Sequence, residues 1–353
     1  MDRSVPVPVY ILGILKLGAT FLTLDPEHPK ARLNHIIVDA DLKLLLTNVI
    51  GSWQDGLNVI QLTSSLEQFE KYSDENLDLN YEASDLAYII YTSGSQGLPK
   101  AVCVEHQHLM SIAKSWRNAY SLDQMEVRLL QTASFSFDVF CGDLCRSLLV
   151  GGQMIICPDK SRHNPVELSS LIQQYQINIW ESTPALIMPV MRYFIENALD
   201  TTYVKVLILG SDSCALKDYR ELTECLSDHT RVINSYGTTE TTIDSCYFEA
   251  RKYTFETITA TTPIGKPYDN SILYVLDDYL NLVPEGIKGE LCIGGAGVAR
   301  GYLNSEELTN KKFIINPFKP GERLYKTGDI VKRLPDGNLE FLGRKDAQVN
   351  LRG

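Results

Sequence analysis

Between Asp85 and Tyr236 the chain alternates short runs of strand pattern with longer runs of helical period, and this alternation restricts the possible folds more than any other feature. The strand candidates are "LAYIIYT", "RLLQTAS", "GQMIIC", "INIWES", "YVKVLILG" and "RVINSYG". Between them lie the helix candidates "EHQHLMSIAKSWRNAY", "FCGDLCRSLLV", "PVELSSLIQQYQ", "PALIMPVMRYFIENAL" and "ALKDYRELTECL". Strands joined through helices run parallel, because each crossover returns the chain to the same end of the sheet. The pattern predicts an α/β fold of mainly parallel sheets covered by helices on both faces, with functional residues in loops at the carboxyl ends of strands.

After about Asp244 the texture changes. "SILYVLD", "GELCIGG", "RLYKTGDIVKRL" and "NLEFLGR" are strand-like and separated by Gly, Pro and Asp turns, which predicts a β-rich lobe over residues 245–345 following α/β sheet lobes over 1–244. An amphipathic helix is expected at "VYILGILKLG", and the acidic run from Glu67 to Asp78 reads as a solvated connection.

With 33 basic and 44 acidic residues, the formal charge of −11 argues against nucleic acid or an anionic membrane surface as partner. The most apolar stretch, Val5 to Leu24, is interrupted by Pro6, Pro8 and Lys16 and lacks the features of a secretory signal. The eight cysteines contain no C-x-x-C pair and mostly sit in apolar surroundings, so buried free thiols in a reducing cytoplasm are expected.

The stretch "YTSGSQGLPK", Tyr91 to Lys100, follows a strand candidate. Two glycines permit close backbone approach, three hydroxyls donate to anionic oxygens, and Lys100 adds a cation, which are the parts a polyphosphate site needs. Neither G-x-x-x-x-G-K-[ST] nor G-x-G-x-x-G fits it, so the common kinase and dehydrogenase loops are disfavoured. A Gly/Ser surface turn is the bland alternative.

This stretch closely resembles the third core motif of the adenylate-forming superfamily, in the form found in amino-acid adenylation domains of nonribosomal peptide synthetases. "LKLGATFLTLDPEHPKARL" resembles the second motif, "FSFDVF" the fourth, "NSYGTTETTI" the fifth and "GELCIGGAGVARGYLN" the sixth; "YKTGDIVKRLPDGNLEFLGRKDAQVNLRG" runs the seventh into the eighth. The resemblance implies ATP-dependent activation of an amino acid as aminoacyl-AMP, with Mg²⁺, and its transfer to phosphopantetheine on a partner carrier domain. Peptidyl carrier and condensation domains are the implied partners.

By the same resemblance Thr92, Ser93, Gly94, Ser95, Gly97 and Lys100 form the phosphate loop, and Thr239 and Glu240 contact the α-phosphate and hold Mg²⁺. Lys100, Thr239 and Glu240 carry the catalytic roles. Tyr236 and Gly237 lie at the nucleotide, Asp329 accepts from the ribose hydroxyls, Arg344 makes a second ribose or phosphate contact, and Asp346 falls on the hinge of the family's small C-terminal subdomain. Residues 346–353 are expected to be that hinge, with the first motif and the lysine-bearing C-terminal subdomain lying outside this chain, so that the piece alone adenylates poorly. Gln96, Ala101, Thr238 and Asn350 depart from the family's usual Thr, Gly, Pro and Lys.

The implied substrate pocket is lined by Asp138, Val139, Gly142, Glu181, Leu207, Leu209, Ser235, Ile243 and Asp244. Asp138 matches the carboxylate that receives the substrate α-ammonium. Glu181 and Asp244 add two acids to an apolar lining, and buried carboxylates demand a cation or a raised pKa. The simplest cation is the substrate's side chain; the alternative is that Glu181 faces solvent or pairs with a protein Arg or Lys. Gly142 leaves the pocket deep, which favours ornithine, then lysine, although Leu209 stands where a smaller residue is expected. An acyl-CoA or aryl-acid ligase of the same superfamily and a non-catalytic truncated relative are the competing readings.

Overall fold

The computed structural model describes residues 3–49, 56–62, 69–93, 99–250 and 259–345. The N-terminal part contains α1 (Pro6–Lys16), β1 (Phe21–Leu22), α2 (Lys30–Asp39), β2 (Leu44–Thr47) and β3 (Asn58–Gln61). Next come β4 (Leu86–Thr92), β5 (Lys100–Glu105), α3 (His106–Ala119), β6 (Arg128–Gln131), α4 (Asp138–Leu148), β7 (Gln153–Ile156) and α5 (Pro165–Gln174). The α/β alternation closes with β8 (Ile179–Ser182), α6 (Pro184–Glu196), β9 (Val206–Leu209), α7 (Leu216–Cys225) and β10 (Arg231–Tyr236). After it follow β11 (Cys246–Glu249), β12 (Lys266–Pro267), β13 (Ser271–Leu276), β14 (Lys288–Gly295), β15 (Gly301–Tyr302), α8 (Glu306–Lys312), β16 (Phe313–Ile315), β17 (Arg323–Arg333) and β18 (Leu339–Arg344).

A seven-stranded sheet ordered β12-β11-β10-β9-β8-β6-β7 is the centre of the molecule. Its strands β6 to β10 are parallel, as the crossover helices require, and β11 and β12 add antiparallel at one edge. One face buries Trp180, Leu207 and Leu209 against α5, α6 and α7; the other buries Ile179, Ile208 and Ile233 against α3 and α4. The core on the second face continues into Tyr88, Ile90, Val102 and Val104 of a four-stranded sheet, β1-β4-β5-β15. Helices α3 and α4 therefore lie between two sheets, and the site forms there.

The β-rich lobe expected after Asp244 is present as an antiparallel sheet of β13, β14, β16, β17 and β18. It is not a clean unit, because β11 and β12 return to the seven-stranded sheet and β15 joins β5. Local pattern predicts a strand but carries no information about its partner, which a long-range pairing decides. β5 itself was not anticipated. It makes "YTSGSQGLPK" the connection of an antiparallel hairpin, with Thr92 paired to Lys100. The "VYILGILKLG" helix is α1. Residues 69–78 of the acidic run are exposed, whereas 67 and 68 lie outside the described residues.

Candidate active site

Each parallel strand delivers its functional residues at its carboxyl end. Glu181 sits near the end of β8, Ser235 near the end of β10, and Asp138 is the first residue of α4, separated from β6 by six residues. The connection from β10 to β11 carries Gly237, Thr239, Glu240, Ile243 and Asp244. That connection is tight: a Cβ on Gly237 would stand 1.9 Å from the Ile243 carbonyl oxygen. Thr242 and Ile243 take φ of 59° and 72°, left-handed values that cost a β-branched residue about 1–3 kcal/mol each. Hydrogen bonds from the Thr242 hydroxyl to the Gly297 carbonyl (2.7 Å) and between the hydroxyls of Thr241 and Ser245 (2.7 Å) hold the turn. The strained turn buries Ile243 and Asp244.

On the nucleotide side, Lys100 Nζ donates to Glu240 Oε1 at 2.6 Å, and the Tyr302 hydroxyl donates to the same oxygen at 2.7 Å. β5 supplies Lys100 and its neighbour β15 supplies Tyr302. Burial pushes the Glu240 carboxyl up, but Lys100 and Tyr302 outweigh it and hold the group below its ordinary value. Glu240 is therefore an anion beside the hairpin that carries the predicted phosphate loop. Thr92 ends β4 with its hydroxyl 3.5 Å from the Lys100 carbonyl, and Ser93 follows it. Gly94, Ser95 and Gly97, with Gln96, lie outside the described residues. Among the described residues no group of three or more His, Cys, Asp or Glu side chains could hold a metal. Glu240 fits Mg²⁺ only in the usual nucleotide manner, one carboxylate with phosphate oxygens and water as the remaining ligands.

At the far edge of this region Asp329 accepts from Arg344 Nη1 at 2.6 Å and from the Tyr236 hydroxyl. The β17–β18 register places Asp329 directly opposite Arg344. Asp329 thus presents a carboxylate fixed on both sides, suited to a vicinal diol. Asp346 lies outside the described residues.

Of the residues expected to line an amino-acid pocket, Asp138, Gly142, Glu181, Ser235, Ile243 and Asp244 come together in one buried region, with Val139 adjoining Asp138 at the start of α4. Burial pushes Asp138 up to about 6, a hydrogen bond from Thr239 opposes the shift, and Asp244 and Glu240 reinforce it. Two expectations need correction. Leu207 and Leu209 do not line the pocket: both side chains pack into the core on the opposite face of the seven-stranded sheet. In β9 the residue directly opposite Glu181 is Ile208, which is also opposite Ile233 of β10. Directly opposed residues share a face, so Ile208 and, two residues on, Gly210 belong to the pocket side. A Cβ on Gly210 would stand 2.9 Å from Glu181 Oε1, which is where the small residue was wanted.

The second correction concerns the missing cation. Glu181 and Asp244 are not left to the substrate alone, because the Arg146 guanidinium is buried between them. Its Nη2 contacts Glu181 Oε2 and lies 3.2 Å from Asp143 Oδ1, and its Nη1 is 3.6 Å from Asp244 Oδ2. The guanidinium stacks 4.4 Å above the Trp116 ring, and Trp116 Nε1 donates to Asp244 Oδ2 at 3.0 Å. The signal was in the sequence: Arg146 follows Gly142 by four residues, so both lie on one face of α4. The acidic partners of Arg146, Glu181 and Asp244, lie far along the chain, so no local pattern shows that it pairs with them. Tyr302 was missed for the parallel reason that its partner Glu240 is 62 residues away.

The structure thus holds a buried anion paired with Lys100, a carboxylate held by Arg344 and Tyr236, and a separate buried acidic cluster around Arg146. A model described as AMP-binding enzyme matches residues 1–303, and the chain belongs to that family of AMP-forming ligases. It is 46% identical to Gramicidin S synthase 2 of Brevibacillus brevis across the whole of this chain and 8% of that protein. It is 48% identical to Tyrocidine synthase 3 of Brevibacillus parabrevis across the whole of this chain and 5% of that protein. The chain thus spans a small fraction of the length of these curated relatives. The crystal structure of FmoA3, a nonribosomal peptide synthetase, superposes with a TM-score of 0.87 at 27% identity, covering 98% of this chain and 36% of that one. The Klebsiella oxytoca NpsA N-terminal subdomain, in complex with 3-hydroxybenzoyl-AMSN, shares the fold at a TM-score of 0.82 and 22% identity, covering 97% of this chain and 85% of that one.

Proposed function

We propose that this chain activates an amino acid with ATP, forming aminoacyl-AMP and pyrophosphate, for transfer to phosphopantetheine on a carrier domain, and that the amino acid is basic, ornithine ahead of lysine. The observation that carries the reading is a charge count. Asp138, Asp143, Glu181 and Asp244 are all buried; Arg146 contacts three of them, and Arg3 offsets Asp143, so Asp138, Glu181 and Asp244 share the single guanidinium of Arg146. Burial, only partly offset by Arg146, pushes Glu181 well above its ordinary value and Asp143 up to about 6. An α-ammonium at Asp138 and a side-chain ammonium near Glu181 and Asp244 supply the positive charge this region lacks.

The chain's own residues divide the work. Asp138 orients the substrate by its α-ammonium, which leaves the substrate carboxylate directed toward Thr239 and Glu240. Lys100 places a cation at the phosphates, and Asp329 with Arg344 fixes the ribose end. Glu240 would hold Mg²⁺, which when bound would neutralise phosphate charge, so the chain's own contribution is chiefly positional and electrostatic. Peptidyl carrier and condensation domains are the partners of this reading. Seven of the eight cysteines are buried free thiols, which suits a reducing cytoplasm. Among the described residues no helix is long and apolar enough to cross a membrane.

The test is amino-acid-dependent ATP–pyrophosphate exchange by the full-length protein across a panel of amino acids. Ornithine or lysine should give the fastest exchange, with leucine and phenylalanine weak. A clear preference for a neutral amino acid overturns the substrate assignment, and exchange driven by aryl or fatty acids without an amino group overturns the role of Asp138.

A further inference from the structure

Arg146 is the largest polar side chain among those fully buried, and it occupies the volume that Gly142 leaves empty. A Cβ on Gly142 would meet Arg146 Nη2 at 2.9 Å and the outer edge of the Trp116 ring at 3.1 Å. The depth that Gly142 creates is therefore filled from within the same helix, one turn later. Burial pulls the guanidinium toward neutrality, yet Glu181, Asp143 and Asp244 outweigh it and keep the group firmly charged. Its Nε and Nη1 donate no hydrogen bond among the described residues, so its position depends on the Trp116 ring and the surrounding carboxylates rather than on a complete hydrogen-bond set.

We propose that Arg146 is a specificity-determining residue: its guanidinium forms the cationic floor of the amino-acid pocket, and so limits both the length and the number of charges that a substrate side chain brings. The inference rests on the reading of this pocket as a site for a basic amino acid. A side chain of ornithine's length places its ammonium against Glu181 and Asp244 above the floor. A longer side chain drives its cation into the guanidinium, where like charges oppose each other across a dry space. Asp143 acts through Arg146, because it lies on the same helix three residues earlier and accepts from Nη2. It is a positioning residue.

Substitution of Arg146 by Ala removes the floor and leaves three carboxylates short of a cation. In the full-length protein, R146A should lower kcat/KM for ornithine about a hundredfold, as loss of one partner of a buried charge cluster does. Lysine and arginine should lose less, because their longer cationic side chains reach the vacated volume, so the lysine-to-ornithine ratio should rise about tenfold or more. Guanidinium ion at about millimolar concentration should restore ornithine activity to R146A but not affect the wild type, and urea, equal in shape but uncharged, should not restore it. R146K covers the case in which R146A does not fold: it keeps a charge, shortens the floor, and should shift the same ratio in the same direction.

An equal loss for every amino acid without guanidinium rescue, in a variant that melts as the wild type does, overturns the proposal, as does an unchanged ratio in a folded R146K. A wild type that prefers neutral amino acids rejects the basic-substrate reading instead, before any variant is made.

Discussion

Lys100 and Glu240, 140 residues apart in sequence, meet as an ion pair of a half-buried lysine and a buried carboxylate, with Nζ 2.6 Å from Oε1, and the hydroxyl of Tyr302 closes on the same oxygen. In the proposed reading, the pair sets the cation of the phosphate loop against the carboxylate that would hold Mg²⁺. Both charges are thereby kept ready in a partly dry site. K100M should lower ATP affinity at least about tenfold and destabilise the protein by about 3–5 kcal/mol, since Glu240 is left buried without its cation. The double variant K100M/E240Q should recover much of the stability and none of the exchange activity. Thermal melts alongside nucleotide titration separate the two effects, and a K100M protein that binds ATP normally removes Lys100 from the site.

The strand register makes a sharper distinction between neighbours. Leu209 and Gly210 are adjacent, yet one is core and the other faces Glu181. L209A should cost about 2–5 kcal/mol as a core cavity and leave amino-acid selectivity unchanged. G210V should cost about 1–3 kcal/mol as overpacking and, unlike L209A, weaken amino-acid binding at least about tenfold, because its side chain enters the space beside Glu181. Calorimetric titration of both variants with ornithine checks this, and a selectivity change in L209A with none in G210V reverses the assignment.

Asp138 provides a pH signature. Its carboxyl is pushed up to about 6 by burial and by Asp244 and Glu240, and only the ionised form attracts an α-ammonium. Amino-acid affinity should therefore rise as pH increases through about 6 and level off above it. Stability moves the other way. Because the folded state holds this proton more tightly than the unfolded state, the contribution of Asp138 is greatest at low pH and declines as pH rises toward about 6. Asp143 titrates in the same range, so the control is D138N, in which the affinity step attributable to Asp138 should vanish. An affinity that is flat from about pH 5 to 7 in the wild type contradicts the role.

Asp329 holds Arg344 on one oxygen and Tyr236 on the other. D329A should weaken ATP binding about 10- to 100-fold, through the lost diol contacts. Y236F removes only one donor to Asp329 and should cost ATP affinity less than D329A. Titration with ATP and with a 2′,3′-dideoxy analogue tests the reading: the analogue should bind wild type and D329A alike.

Local elements and the chemistry they carry are written in contiguous stretches of the chain. The strands β4, β6, β8, β10, β13, β14, β17 and β18 and the helices between them follow from periodicity, because side-chain alternation and helical repeat are local properties of the chain. The motif residues Lys100, Asp138, Glu240 and Asp329 were legible for a similar reason, since each sits in a short contiguous pattern. Tertiary structure decided what depends on partners distant in sequence. Pairing of β9 with β8 and β10 fixed its parity, which moved the pocket from Leu207 and Leu209 to Ile208 and Gly210. The packing of α4 under Trp116 decided that the cation for Glu181 and Asp244 comes first from Arg146. A one-residue shift in a strand or one turn in a helix reverses which side a residue faces, and only the assembled sheets and helices set which side is the pocket.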